Sequence, residues 1–209
     1  MQVFQKKNIK WVIVLICLSI FVYLMQAVWG SRVLPIDTSG YGFMSKHFIS
    51  NSLTPVMRLI TQFGGTILMI VWALASLVLI KNKRIAISVV SNLVLIALLN
   101  NILKLIVRRA RPTGFRLIAE TGYSFPSGHS MVSMAFYGYL IYLIYKNVRN
   151  KKLRWTLITC FSLLILIIGM SRIYLGVHYT SDVFAGFLFS LGYLVIYTKL
   201  TDPIVFLKK

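Results

Sequence analysis

Three short stretches combine histidine, serine, basic side chains and a carboxylate at spacings suited to phosphate chemistry. They read KLIVRRARP at 104–112, PSGH at 126–129 and SRIYLGVHYTSD at 171–182. In the first, Lys104, Arg108 and Arg111 share one face of a helix at i, i+4, i+7 spacing. Pro112 should end that helix, because the residue before a proline is pushed out of the helical region. The expected result is a cationic helix end, although snorkelling to lipid headgroups would use the same pattern. Arg109 points off this face, so a charge-conserving change there is expected to be mild.

In the second stretch Pro126 suits a first helical turn and Ser127 can cap it. Gly128 lets an anion approach the backbone closely. Free N–H groups at a helix start, with the dipole behind them, make an anion site from whose first turn His129 projects. A simple cap with a buried histidine fits the same four residues. In the third stretch, a helix starting near His178 stacks Asp182 beneath it at i, i+4. The carboxylate fixes one ring nitrogen and leaves the other as a lone pair, as a histidine nucleophile or general base requires. A structural His–Asp pair is the alternative.

The elements holding these residues are apolar. Runs at 11–29, 59–80 and 85–103 hold 19, 22 and 19 residues without a Lys, Arg, Asp or Glu, enough to cross a hydrocarbon core of about 30 Å. Shorter runs at 130–145, 155–171 and 183–198 reach that length with their flanks. Backbone inside lipid must satisfy its own hydrogen bonds, so these runs are expected to be helices. The predicted architecture is an all-α integral membrane protein. Six transmembrane helices, roughly 11–29, 59–80, 85–107, 127–146, 153–171 and 180–199, form one antiparallel domain over residues 1–209. In the first outer connection, Phe43, Met44, His47 and Phe48 suggest one face of a short interfacial helix. The first run is longer than a signal-peptide core, and QAVWGSR offers no good cleavage site, so it is expected to be retained.

Over 209 residues, 58% are hydrophobic and 13% charged, against about 25% charged in an ordinary soluble domain. The net charge is +19, from 23 basic and 4 acidic residues. With six spans, 14 basic residues fall on the side of the termini, including Lys6, Lys7, Lys10, Lys208 and Lys209, and 9 on the other. The positive-inside rule then puts both termini in the cytoplasm and the three motifs at the extracytoplasmic face. Topology accounts for the inner charges, so nucleic acid is not an expected partner. It does not account for the five basic residues between 104 and 116. Cys17 and Cys160 lie inside apolar runs and are expected to be packed free thiols.

In order and spacing, Lys104–Arg111–Pro112, Pro126–Ser127–Gly128–His129 and Ser171–Arg172–His178–Asp182 resemble the full signature of the type 2 phosphatidic acid phosphatase family, the lipid phosphate phosphatases. Asp37 and ITQFGG at 60–65 resemble family positions more weakly. The resemblance implies a membrane lipid phosphatase that works through a phosphohistidine without metal or other cofactor. Its implied phosphate-binding residues are Lys104, Arg111, Ser127, Gly128 and Arg172. His178 would be the nucleophile, Asp182 its orienting carboxylate and His129 the general acid and base. Phosphatidylglycerophosphate, phosphatidate and undecaprenyl pyrophosphate all fit as the bilayer substrate. A lipid-phosphate binding or transport protein, a phosphotransferase, and a zinc hydrolase using His129, His178 and Asp182 are the competing readings. With four acidic residues in the chain and one of them in the constellation, a carboxylate-bound Mg²⁺ site is not expected.

Overall fold

The computed structural model describes residues 2–206, and every regular element among them is helical. The order is α1 (Gln2–Ser31), α2 (Pro35–His47), α3 (Leu53–Gln62), α4 (Thr66–Leu79), α5 (Lys83–Val107), α6 (Gly128–Asn147), α7 (Lys151–Tyr174) and α8 (Thr180–Val205). The expected placements of Lys208 and Lys209, and of the Lys6 and Lys7 side chains, lie outside what is described.

Polar caps fix where the long helices begin. Asn82 accepts from the Arg84 N–H at 3.0 Å and Asn150 from the Leu153 N–H at 3.1 Å, each satisfying a donor that the first turn leaves free. At the other end of the bundle, α2 and α8 open alike. Asp37 accepts the Leu34 N–H at 2.9 Å, and Asp182 accepts the Tyr179 N–H at 2.9 Å. Each carboxylate sits in the first turn, where the helix dipole favours negative charge.

Helix α6 is the hub, packed by α5, α7 and α8. Its Phe136, Tyr137, Tyr139 and Leu143 meet Val89 and Leu93 of α5, Ile165 and Ile168 of α7, and Leu194 and Tyr197 of α8. The tyrosines keep their hydroxyls satisfied: Tyr139 bonds Ser88 Oγ at 2.9 Å and Tyr197 donates to the Ser88 carbonyl at 2.6 Å. Helix α1 joins from outside, burying Val14, Cys17, Phe21 and Val28 as one stripe. Its residues Cys17 and Leu18 pack over Gly192 of α8. The outward faces are apolar, with Leu15, Val78, Leu98 and Leu105 exposed.

Among the described residues, four helices are long and apolar enough to cross a membrane, with bounds Ile9–Gly30, Lys83–Val107, Lys151–Tyr174 and Thr180–Val205. A fifth candidate is the pair α3–α4, bent by 45°. The run 59–80 is therefore not one straight helix, because Gly64 and Gly65 break it. Helix α6 falls outside the apolar set. Ser130, Ser133, Tyr137 and Tyr139 of this helix are all buried against protein, while Tyr145 near its end is exposed.

Two smaller expectations need correction. Helix α2 exists, but the four residues assigned to one face are divided. Met44 is buried with Ile173 and Val183, while Phe43 is exposed and packs on His47 and Phe48. The cysteines also differ: Cys17 is buried, but Cys160 is exposed on the bundle's outer surface.

Candidate active site

Helix α5 delivers Lys104 in its last turn and then stops at Val107, five residues before Pro112. Arg108 takes the left-handed conformation, φ 49°, and its N–H closes on the Lys104 carbonyl at 2.9 Å. The proline is thus not the terminator, and the helical face expected to join Lys104, Arg108 and Arg111 does not form. Arg108 instead turns back, donating from Nε to the Leu105 carbonyl at 2.9 Å.

Arg111 lies in the irregular segment that follows and is almost wholly buried. Its guanidinium donates to the carbonyls of Thr121 at 2.9 and 3.1 Å, Gly122 at 3.1 Å and Val177 at 3.0 Å. The remaining hydrogen bond, from Nη1, is to His178 Nε2 at 3.0 Å. A guanidinium only donates, so Nε2 must be the acceptor nitrogen. The other nitrogen, Nδ1, then carries the proton, 3.3 Å from Asp182 Oδ2. The i, i+4 pairing of His178 with Asp182 is therefore present, with α8 starting at Thr180.

Asp182 is fully enclosed. Besides His178 and the Tyr179 N–H, it takes a short hydrogen bond from Ser124 Oγ and an ion pair from Arg109 Nη1 at 2.5 Å. Arg109 is itself 1% exposed and pairs with Asp37 at 2.6 Å. Arg109 points off the expected Lys104 face, but it is not a surface residue: its side chain is among the largest fully buried ones.

Ser127 caps α6 as expected: its Oγ accepts the Ser130 N–H at 3.4 Å and bonds Ser130 Oγ at 3.0 Å. The cap is seated from below by Asn100, which donates to the Pro126 carbonyl at 3.3 Å. A Cβ on Gly128 would come 3.0 Å from Asn100 Oδ1 and 3.7 Å from Lys104 Nζ, so only glycine leaves this approach open.

Lys104, Arg111, Gly128, His129 and His178 line one cavity of about 320 Å³, with Glu120, Asn100 and Asn101. Its other wall is apolar: Met69 and Ile70 of α4 face Leu93 and Ala97 of α5. Arg172 and Ser127 are buried behind the lining. Arg172 donates to Thr61 Oγ1 at 2.6 Å and forms a short ion pair with Glu120. Glu120 also lies 3.8 Å from Arg111. Burial raises the Glu120 carboxyl, but Arg172 and Arg111 outweigh it and hold the group below its ordinary range. Burial takes the His178 ring down to about 4, against the pull of Asp182 and with help from Arg172 and Arg111. A neutral His178 at physiological pH follows. Among the described residues no set of three or more His, Cys, Asp or Glu side chains is arranged to hold a metal ion.

Sequence reading missed Ser124 and Asn100, gave Arg109 no partner, and placed only Asp182 of the acids in the constellation, whereas Asp37 and Glu120 also converge here. For Asp37 a signal existed, because an acid two residues after Pro35 marks a helix start. Nothing in RRAR distinguishes Arg109 from Arg108.

The sequence model of the PAP2 superfamily matches residues 85–204. Over 104 residues the chain is 38% identical to phosphatidylglycerophosphatase B of Bacillus subtilis, covering 48% of this chain and 49% of that protein. The match thus spans about half the length of that relative. It is 24% identical to undecaprenyl-diphosphatase of Sulfolobus acidocaldarius over 96% of each chain. With sphingosine-1-phosphate phosphatase 1 of Rattus norvegicus it shares 34% over 117 residues, 53% of this chain and 26% of that one. The crystal structure of a transmembrane PAP2-type phosphatidylglycerolphosphate phosphatase from Bacillus subtilis superposes with a TM-score of 0.79, covering 93% and 98% of the two chains at 23% identity. The fold is shared.

Proposed function

The chain belongs to the PAP2 superfamily, and from that premise and the geometry of the cavity we propose that it is a membrane lipid phosphatase using a phosphohistidine. The observation that carries this reading is His178, with Nδ1 held by Asp182 and Nε2 left as an acceptor beside Arg111, on a cavity that His129 and Lys104 also line.

Phosphoryl transfer needs positive charge around the equatorial oxygens and an aligned nucleophile. Lys104, Arg111, Arg172 and the α6 N-terminus at Ser127 and Gly128 supply the charge without a cofactor. His178 Nε2 attacks phosphorus and the P–O bond to the lipid breaks. Protonated His129 gives its proton to the departing oxygen. Neutral His129 then takes a proton from water, whose oxygen bonds phosphorus as the N–P bond breaks. Phosphate leaves and His178 is restored.

The substrate is a lipid with a phosphomonoester or pyrophosphate headgroup. Phosphatidylglycerophosphate, phosphatidate and undecaprenyl pyrophosphate meet that description, and the names of the two bacterial and archaeal relatives favour the first and the last. Its tails leave through the apolar wall between α4 and α5. The whole chain forms one six-span domain. The bent α3–α4 pair makes the second span, and α6 crosses at the centre, shielded from lipid by its neighbours. Helix α2 lies in the outer headgroup layer. Both termini are cytoplasmic, and the cavity opens at the extracytoplasmic face of the plasma membrane.

The decisive experiment measures phosphate release from the three lipids in detergent with EDTA present, for wild type and His178→Ala. Turnover by wild type alone supports the reading. Turnover by His178→Ala, or EDTA-sensitive turnover, sinks it.

A further inference from the structure

Arg109 has five N–H donors and all five are engaged. Nε and Nη2 donate to the Arg32 carbonyl at 2.8 and 2.5 Å, Nη2 also to Asp37 at 2.6 Å, and Nη1 to Ser181 Oγ at 2.8 Å and Asp182 at 2.5 Å. Its carbon lies 3.9 Å from the Tyr179 ring centroid, a cation–π contact. Asp37 completes the link, since its Oδ1 accepts the Ser181 N–H at 2.8 Å. One guanidinium therefore joins the first turns of α2 and α8, each through the carboxylate that opens that helix.

The charges in this cluster have a consequence for His178. Asp37 and Asp182 are both shut off from solvent, with Arg109 between them. Two carboxylates and one guanidinium leave a net charge of −1 facing the His178 Nδ1–H. When Nε2 bonds to phosphorus, the ring gains positive charge, which needs that negative partner. With Arg109 alone beside it, Asp182 would be a neutralised pair.

Resting on the histidine-nucleophile reading, we propose that Arg109 and Asp37 are positioning residues for that reaction. Arg109 fixes Asp182 against His178, and Asp37 offsets the charge of Arg109 so that Asp182 remains an effective counter-charge.

His178 is faced by other charged and titratable groups too: Lys104 from the end of α5, Arg111 from the segment after it, Arg172 from α7, Glu120 from the loop before α6, and His129 from α6. These stay fixed when Asp37 or Arg109 is changed, so differences among such variants isolate the cluster. The local charge becomes 0 in Asp37→Asn, −2 in Arg109→Gln and −1 again in the double variant.

The test uses full-length protein in detergent and a short-chain phosphatidate, measuring kcat, KM and the acid limb of kcat/KM. That limb reports His178 in the free enzyme. Asp37→Asn is expected to lower kcat about tenfold with KM changed less than about threefold, because the loss falls on the charged transition state. Its acid limb should move to lower pH. Arg109→Gln should move the limb the other way, each by on the order of half a pH unit, as second-layer charges do. The double variant should return the limb to the wild-type position with a higher kcat than Asp37→Asn. Arg109→Lys, which keeps the charge, should leave the limb in place.

A purely structural tie predicts otherwise: limbs that do not move, or all variants shifting together. Either result, or loss of folded protein in every variant, overturns the proposal. Should His178→Ala retain turnover, the nucleophile reading fails instead. An inactive His178→Ala beside unmoved limbs defeats only the present inference.

Discussion

Arg111 Nη1 donates to His178 Nε2 across 3.0 Å, so one cation holds the lone pair that is proposed to attack phosphorus. The contact fixes the productive tautomer before any phosphate arrives, and phosphate oxygens would then compete for the same guanidinium. Lysine could keep the charge but not this fork, which also grips the Thr121, Gly122 and Val177 carbonyls. Arg111→Lys is therefore expected to lower kcat/KM by about tenfold or more. Steady-state kinetics on a soluble lipid phosphate check this, and near-wild-type efficiency would mean that charge alone suffices.

The low His178 ionisation sets a pH dependence. On the proposed mechanism the ring must be neutral to attack, and it takes a proton only as pH falls towards about 4. Activity in kcat/KM should thus persist well below the ordinary imidazole range near 6.5. The same depression has a sign for stability. Between about 6.5 and 4 the unfolded chain binds a proton that the folded ring refuses, so this group's contribution is present above that window and lost as pH falls through it. A His178-dependent limb centred near 6.5 would contradict the burial seen here.

Changing the acid–base partner should separate the two chemical steps. On the proposed mechanism, His129→Ala removes the proton donor for the leaving oxygen and the acceptor for the attacking water. Hydrolysis of lipid alkyl phosphates should fall more than cleavage of an activated aryl phosphate, which leaves without a proton. Because water attack also slows, labelled phosphate should accumulate on His178 in an acid-labile linkage. Wild-type hydrolysis with inversion at a chiral phosphorus would point to direct attack by water instead.

Gly64 sits where His129 needs room. A Cβ there would come 2.8 Å from Ile168 Cγ2 and 3.2 Å from His129 Cδ2. Ile168 is fully buried and cannot retreat freely, so the imidazole must move. Gly64→Ala should reduce kcat while detergent-solubilised protein keeps a wild-type melting temperature to within a few degrees. Gly42→Ala, where a Cβ meets nothing within 4 Å, is the control.

Membrane orientation is checked by single cysteines at Lys151 and Thr113 in a background lacking Cys17 and Cys160. The exposed Cys160 would otherwise react on its own. An impermeant reagent on intact cells should label position 113 and spare 151. The reverse pattern would invert the topology.

How much of this was legible in the sequence depends on range. The His178–Asp182 pair and the Ser127 cap follow from neighbours within one turn, and both are present as expected. The helix end near Lys104 was misplaced because Pro112 is a visible stop signal, whereas the left-handed turn at Arg108 has none. The Arg109 network was invisible for a different reason. It joins residues 72 and 73 positions apart, and a buried guanidinium with two acids reads along the chain like any basic residue near an outer loop. The bend in α3–α4 lay in plain view as Gly64 and Gly65, but an apolar run tolerates glycine, so composition could not say that the helix breaks.

The central helix α6 has a consequence for how the protein is made. It carries His129, two serines and four tyrosines and does not meet the apolar length test that α5, α7 and α8 meet. Its core partners on α7 and α8 are synthesised after it. A nascent chain that has just released α6 cannot commit that segment to the bilayer on its own affinity, because lipid offers its polar groups nothing. On the six-span reading proposed above, integration of α6 awaits, or is drawn in by, the two helices still emerging from the ribosome. Those same helices and the turn between them bring Arg172, His178 and Asp182, so on that reading the proposed centre is assembled only after α8 has begun to emerge.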